Sequence, residues 1–167
     1  MQRIEPPDSH HLRAAIGWIE LGSRAEALKE LAQISPPIQG HPDVLEARWI
    51  LLAGEEQWAA ALDVASNLVE HAPDRASGWL HRAYAMRRAP GGGVEKAWDA
   101  LQPAADKFPK EPIISYNLSC YACQMNKLQD ARVWFRRALK AGDEDEIRRM
   151  ALADDDLKSL WPEIEKL

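Results

Sequence analysis

Residues 112–139 read PIISYNLSCYACQMNKLQDARVWFRRAL, and two stripes of apolar residues at helical spacing run through them. The first stripe includes Leu118, and the second includes Ala131 and Phe135. Between the stripes stands Asn126, a residue type that tolerates the positive φ angle of a tight turn. Because apolar residues three or four positions apart share one helix face, this stretch predicts two helices joined by a short turn.

The same pattern of a small residue followed four positions later by an apolar one recurs through the chain. The pairs are Ala27 with Leu31, Ala61 with Ala65, Ala97 with Leu101, and Ala131 with Phe135. The successive first alanines are 34, 36 and 34 residues apart. The longer interval contains the three glycines at positions 91–93, which predict a turn. A period of this length indicates an array of helical repeats.

This pattern resembles the tetratricopeptide repeat, whose signature is W-x2-L-G-x2-Y…A-x3-F…P. The fourth repeat resembles it most, with Tyr116 and Leu118 in the first helix and Ala131-x3-Phe135 in the second. The resemblance covers residues 8–145 and implies an all-α fold, a right-handed superhelical solenoid of four helix-turn-helix repeats. We predict one domain over residues 1–167, with repeats at 8–41, 42–75, 76–111 and 112–145 and a cap at 146–167.

The register of the second repeat has two solutions. At a strict 34-residue spacing, Trp49 occupies a position that the family keeps small. An insertion of two residues near Glu55 and Glu56 would place Ala47 there instead. Residue types alone leave both solutions open.

The last repeat of such an array needs a closing element with a polar outer face. Asp143 or Asp145 is placed to cap one short helix. Asp154–Asp156 repeat this capping signal before Leu157 and Leu160. The sequence therefore predicts a carboxy-terminal capping helix pair, which resembles closing segments that follow bacterial repeats of this family.

Composition restricts the classes of function. The chain has 167 residues and a net charge of -5, which disfavours nucleic acid and anionic membranes as partners. No apolar stretch approaches the roughly 20 residues of a membrane-spanning helix, and residues 1–7 lack the apolar run of a secretory signal. Two cysteines are too few for a disulfide framework. We therefore expect a cytoplasmic protein.

Candidate chemistry is sparse, and we predict no catalytic residues, no metal and no cofactor. Cys120-x2-Cys123 has the spacing of a redox pair or half a zinc site, but it lies within a predicted helix and no second pair completes a tetrahedron. Asp154–Asp156 lacks the glycine and the terminal glutamate of a calcium loop. A thiol redox enzyme using Cys120 and Cys123 remains an alternative, which depressed thiol pKa values would favour.

The resemblance also implies where a partner binds. In this family the first helices of successive repeats line a concave groove. Carried over by position, the groove residues are Leu12, Ile16, Ile19, Leu80, Tyr84, Arg87, Arg88, Ile113, Tyr116 and Cys120. The Lys and Asn residues with which some members grip an acidic chaperone tail are absent, because Leu12 and Ile16 stand at two of those positions.

We therefore predict a non-catalytic scaffold that binds a peptide or protein segment in this groove. Arg87 and Arg88 are placed to meet a carboxylate of the partner. The alternative is a chaperone or assembly factor that shields an apolar segment of a partner, such as a secreted subunit. An alternative of equal weight is that Leu12, Ile16 or Ile19 packs against the amino-terminal tail or a second copy of the chain, and that the closing helix fills part of the groove.

Overall fold

The computed structural model describes residues 3–166, in which helices are joined by turns and short loops and there is no strand. The all-α prediction is confirmed. The helices are α1 (Asp8–Glu20), α2 (Arg24–Gln33), α3 (Pro42–Gly54), α4 (Trp58–His71), α5 (Ala76–Arg88), α6 (Val94–Lys107), α7 (Pro112–Gln124), α8 (Leu128–Ala141), α9 (Glu144–Leu152) and α10 (Trp161–Ile164). Within residues 3–166 no helix has the length and apolarity needed to cross a membrane.

Short turns join the two helices of each pair, as the sequence predicts. Gly22 after α1 and Asn126 after α7 have φ angles of 71° and 59°. Glu56 occupies the corresponding place after α3 with a φ of 55°. In the turn after α5, a Cβ atom on Gly92 would lie 1.8 Å from the carbonyl oxygen of Met86, so only glycine fits there.

The chain forms two compact units, Met1–His81 and Arg82–Leu167, with the boundary inside α5. The prediction of a single domain stays a prediction. In the amino-terminal unit α1 packs on α2 and on α3, and α3 packs on α4. Fully buried Ala15 and Ala27 allow close approach of these helices, and Leu31 fills the space beside them.

The second pair keeps the strict spacing. Residues 21–23 separate α1 from α2 and residues 55–57 separate α3 from α4, so no insertion lies near Glu55 and Glu56. Trp49 therefore stands at the position that Ala15 takes in α1. Its ring is half-buried and stacks on His81, with ring centroids 3.7 Å apart. Ala47 is buried as well, two residues earlier in α3.

In the carboxy-terminal unit α7 packs between α6 and α8. Ala131 and Phe135 of α8 are buried, and the Ser119 hydroxyl donates a hydrogen bond to the Ala131 carbonyl at 2.8 Å. α9 begins at Glu144, and the carboxylate of the preceding Asp143 accepts the Glu146 amide at 2.9 Å, so Asp143 is the cap rather than Asp145.

A 3₁₀ helix at Asp155–Leu160 and then α10 close this unit. We name residues 154–164 the closing segment. Its apolar side chains Leu157, Leu160 and Ile164 are at most 1% exposed. The carboxylate of Asp154 accepts the Asp156 amide at 3.0 Å, which confirms the predicted cap at its start. The segment is therefore an integral part of the core of this unit.

Candidate protein-interaction surface

The ten predicted groove residues divide between the two units. Leu12, Ile16, Ile19 and Leu80 belong to the amino-terminal unit, and Tyr84, Arg87, Arg88, Ile113, Tyr116 and Cys120 belong to the carboxy-terminal unit. Their surroundings differ so much that each unit is described by itself.

In the amino-terminal unit, two predicted residues on α1 line an open pocket of about 400 Å³. Leu12 is buried in its floor and Ile16 is 42% exposed beside it. Ile4 completes the apolar floor, and the side chains of Arg3 and Arg13 lie on the rim. We name this the α1 pocket.

Two predicted residues of this unit lie elsewhere. Ile19 is half-buried and packs against the amino-terminal core, and it borders a separate hollow beside Gly22 and Ile50. Leu80 is half-buried on α5. Neither lines the α1 pocket.

In the carboxy-terminal unit, the closing segment covers three predicted residues. Asp156 forms a bidentate ion pair with Arg87, in which one of the two nitrogen to oxygen distances is 2.8 Å. The Tyr116 hydroxyl donates to Asp154 Oδ2 at 2.9 Å, and Cys120 Sγ lies 3.5 Å from the same oxygen. The structure thus brings Arg87, Tyr116 and Cys120 together, with a carboxylate ligand that comes from the chain itself.

The remaining predicted residues lie at the edge of this site. Tyr84 is 40% exposed, and the Arg88 guanidinium carbon lies 3.5 Å from the centroid of its ring. Arg88 also donates to the Tyr84 carbonyl at 3.1 Å. Ile113 is half-buried near the start of α7. Tyr84 and Arg88 thus form one exposed stacked pair.

The pKa shifts of Arg87 and Tyr116 favour their contacts with Asp156 and Asp154. The hydrogen bond to Asp156 raises the pKa of Arg87 above its ordinary value, so its positive charge is held more firmly. Burial, and then the nearby Cys120 and Asp154, raise the pKa of the Tyr116 hydroxyl, which stays protonated as a donor. Burial also raises the pKa of Tyr121 to about 12.

The surroundings of the two cysteines raise the pKa of each thiol, whereas an activated thiol has a lowered pKa. Burial raises the pKa of Cys123 to about 11, although nearby Arg132 opposes the shift. Burial and the carboxylate of Asp154 raise the pKa of Cys120 further. A reactive thiolate needs a lowered pKa, so these values give the redox alternative no support.

One cluster has the composition of a cation site. Cys120, Asp154 and Asp156 bring one sulfur and two carboxylate oxygens within 4.8 Å of one another. Asp156 already pairs with Arg87, and Asp154 accepts hydrogen bonds from Tyr116 and the Asp156 amide. These donors satisfy the carboxylates, which is the arrangement of a structural cap.

Solved structures share this arrangement of helices. The MamA RS-1 ArsTM double mutant matches with a TM-score of 0.70 at 19% identity, over 90% of this chain and 80% of that one. MamA residues 41 to the end from Desulfovibrio magneticus RS-1 match with a TM-score of 0.70 at 19% identity, over 80% of this chain and 75% of that one. MamA MSR-1 C2 matches with a TM-score of 0.65 at 16% identity, over 81% of this chain and 76% of that one.

MamA is a tetratricopeptide-repeat protein. The chain has the tetratricopeptide-repeat fold. The resemblance inferred from the 34-residue period is thereby confirmed for the fold. No protein-family model matches the sequence, and no curated protein matches it.

Sequence reasoning missed four residues of these surfaces. Arg3 and Arg13 fall outside the family's usual contact positions, although Arg13 follows the predicted Leu12 directly. For Asp154 and Asp156 the sequence predicts only a capping role. Two features of the sequence indicate that Asp154 and Asp156 contact α7. The closing segment combines acidic residues with leucines, and α7 has no charged residue, which is typical of a helix that is buried on several sides.

Proposed function

We propose that this chain is a protein-interaction scaffold that binds a segment of a partner protein on the first helices of its repeats. The observation that carries the proposal is the α1 pocket, where two residues implied by the family resemblance, Leu12 and Ile16, form an apolar surface open to solvent. Concave apolar surfaces with a few charged groups at the rim are typical of peptide-binding sites.

The contacts of the covered α7 residues narrow the proposal. Arg87, Tyr116 and Cys120 hold the closing segment, which is anchored by buried Leu157 and Leu160. Expelling two such leucines from the core would cost roughly 1.5–3 kcal/mol each. We therefore assign partner binding to the amino-terminal unit, and we assign a structural role to Arg87, Tyr116 and Cys120.

An untargeted capture experiment tests the proposal. Tagged wild-type protein and the Ile16→Glu variant would be compared for captured proteins by quantitative mass spectrometry. Because Ile16 is 42% exposed, a charge there blocks an apolar contact without burying a charge in the core. The matched control is Val133→Glu on α8, at a side chain that is 59% exposed.

The expected result is one or a few proteins that Val133→Glu retains and Ile16→Glu loses. A protein set that is the same for all three baits would contradict the proposal.

The chaperone alternative has an observation in its favour. Leu21, Leu28 and Ile50 of the amino-terminal unit are 75%, 45% and 46% exposed, in addition to Ile16. Exposed apolar surface of this kind suits the shielding of an apolar partner segment. Co-expression with the captured partner distinguishes the two functions, since a chaperone makes its partner soluble and a scaffold leaves the partner's solubility unchanged.

A further inference from the structure

The rim of the α1 pocket carries two arginines, Arg3 and Arg13, that form no ion pair with any other described residue. Within residues 3–166, no carboxylate lies within salt-bridge distance of Arg3 or Arg13. The chain as a whole has a net charge of -5, whereas Arg3 and Arg13 place two positive charges beside the apolar floor of this pocket.

The acidic side chain at this pocket is already engaged. Asp43 lies on the pocket wall, and its Oδ1 accepts from Arg75 Nη1 at 2.6 Å. His41 Nδ1 lies 3.6 Å from Asp43 Oδ2 and 3.2 Å from the Asp43 amide, which it caps. Arg75 also lies 3.6 Å from Glu46 Oε1, so it is shared by two carboxylates. Asp43 nevertheless makes its ion pair with Arg75, and neither Arg3 nor Arg13 pairs with it within residues 3–166.

The carboxy-terminal unit shows what kind of segment seats on a first helix of this chain. The closing segment presents two carboxylates, Asp154 and Asp156, next to the fully buried Leu157. The carboxylates meet Tyr116 on α7 and Arg87 on α5, while the leucine enters the core. An arginine beside an apolar surface is thus satisfied by an acidic residue directly before an apolar one.

We propose that the α1 pocket binds a partner segment in which one or two acidic residues stand next to a leucine or isoleucine. The apolar side chain contacts Leu12 and Ile16, and the carboxylates pair with Arg3 and Arg13. Charge complementarity carries this choice, because Arg3 and Arg13 would otherwise be left beside an apolar ligand without a counter-charge. This inference rests on the proposed function and specifies the chemistry of the partner.

Three fluorescein-labelled peptides test the inference against the full chain by fluorescence anisotropy. The first is a nine-residue peptide with two aspartates directly before a central leucine and alanine or serine elsewhere. The second has asparagine for both aspartates, and the third has serine for the leucine. The protein variants are Arg13→Gln and, as a matched control on α9, Arg149→Gln, whose side chain is exposed.

The expected result is binding of the first peptide and at least tenfold weaker binding of the second and third. Arg13→Gln should weaken binding of the first peptide by about tenfold, which corresponds to about 1.4 kcal/mol, because a charge-assisted hydrogen bond is lost. Arg149→Gln should bind like wild type. Raising the salt concentration from 0.05 to 0.5 M should weaken the first complex and leave any binding of the second unchanged.

Three outcomes would overturn the inference. Equal affinity for the aspartate and asparagine peptides, with loss on Ile16→Glu, would refute the acidic preference and leave the proposed function standing. Absence of binding for all peptides at millimolar concentration would refute this ligand class, and the capture experiment would then judge the proposed function separately. Self-association of the full chain that Arg13→Gln abolishes would identify a second copy as the occupant.

Discussion

The first helices of the first and fourth repeats differ in what covers them. Nine of the residues of α7 are buried but only two of the residues of α1, although both helices contain 13 residues. At equivalent positions, Ile16 of α1 is 42% exposed and Cys120 of α7 is 3% exposed. The closing segment packs on α7, and α1 has an open pocket in the corresponding place. The same repeat thus yields an open apolar pocket in one unit and a buried core in the other.

The largest expected effect comes from removing the anchor of the closing segment. Leu157→Ala deletes a fully buried side chain beside α7 and should lower the free energy of unfolding by about 2–5 kcal/mol. Urea unfolding followed by circular dichroism measures the change. The control Leu152→Ala alters a side chain that is 37% exposed and should cost far less. A loss below 1 kcal/mol for Leu157→Ala would mean that the closing segment contributes little to the stability of this unit.

The sequence predicts the repeat and the helices better than it predicts which face is open. The 34-residue period, Gly22 and Asn126 fix the helix pairs because turn chemistry and apolar spacing are local properties. Which face a distant segment covers depends on packing between residues far apart in the chain, such as Tyr116 and Asp154. One local signal was available, because α7 has no charged residue whereas α1 contains Asp8, Arg13 and Glu20.

The second register also depended on non-local packing. Trp49 breaks the small-residue rule of its position, and its ring is accommodated by stacking on the ring of His81 from α5. No sequence pattern within α3 predicts the contact with His81. A departure from the family pattern at one position is therefore resolved by a compensating residue about one repeat away.

The ion pair between Arg87 and Asp156 should contribute less than the buried leucine. Arg87→Met keeps the apolar stem and removes the charge, leaving Asp156 unpaired on a side chain that is 24% exposed. We expect a loss of about 1 kcal/mol, because partial exposure screens the pair and water can reach the carboxylate. Arg149→Met is the exposed control. A more stable Arg87→Met variant at neutral pH would show that the pair is not needed to hold the closing segment.

Acidification should weaken the amino-terminal unit through His81. Burial lowers its pKa below the ordinary value of 6.5, and the charge of Glu46 opposes this shift only in part. A histidine with a lowered pKa in the folded state binds protons more readily when unfolded, so stability falls as the pH drops below about 6.5. The urea midpoint of wild type should therefore fall between pH 7 and pH 5 more than that of His81→Gln. Parallel pH profiles for the two proteins would contradict the assignment.

The smallest effect on stability, and the sharpest test of exposure, comes from placing a thiol on α1. Ile16→Cys changes an exposed side chain and should alter the free energy of unfolding by less than about 0.5 kcal/mol. Its thiol occupies the position that Cys120 takes in α7, where burial and Asp154 raise the thiol pKa. Iodoacetamide at pH 8, followed by peptide mass spectrometry, should therefore label residue 16 more than about tenfold faster than Cys120. In the Leu157→Ala background that difference should shrink, because a loosened closing segment admits the reagent to α7. Equal labelling rates in the native protein would mean that the two first helices are equally accessible, and the contrast between the two units would be lost.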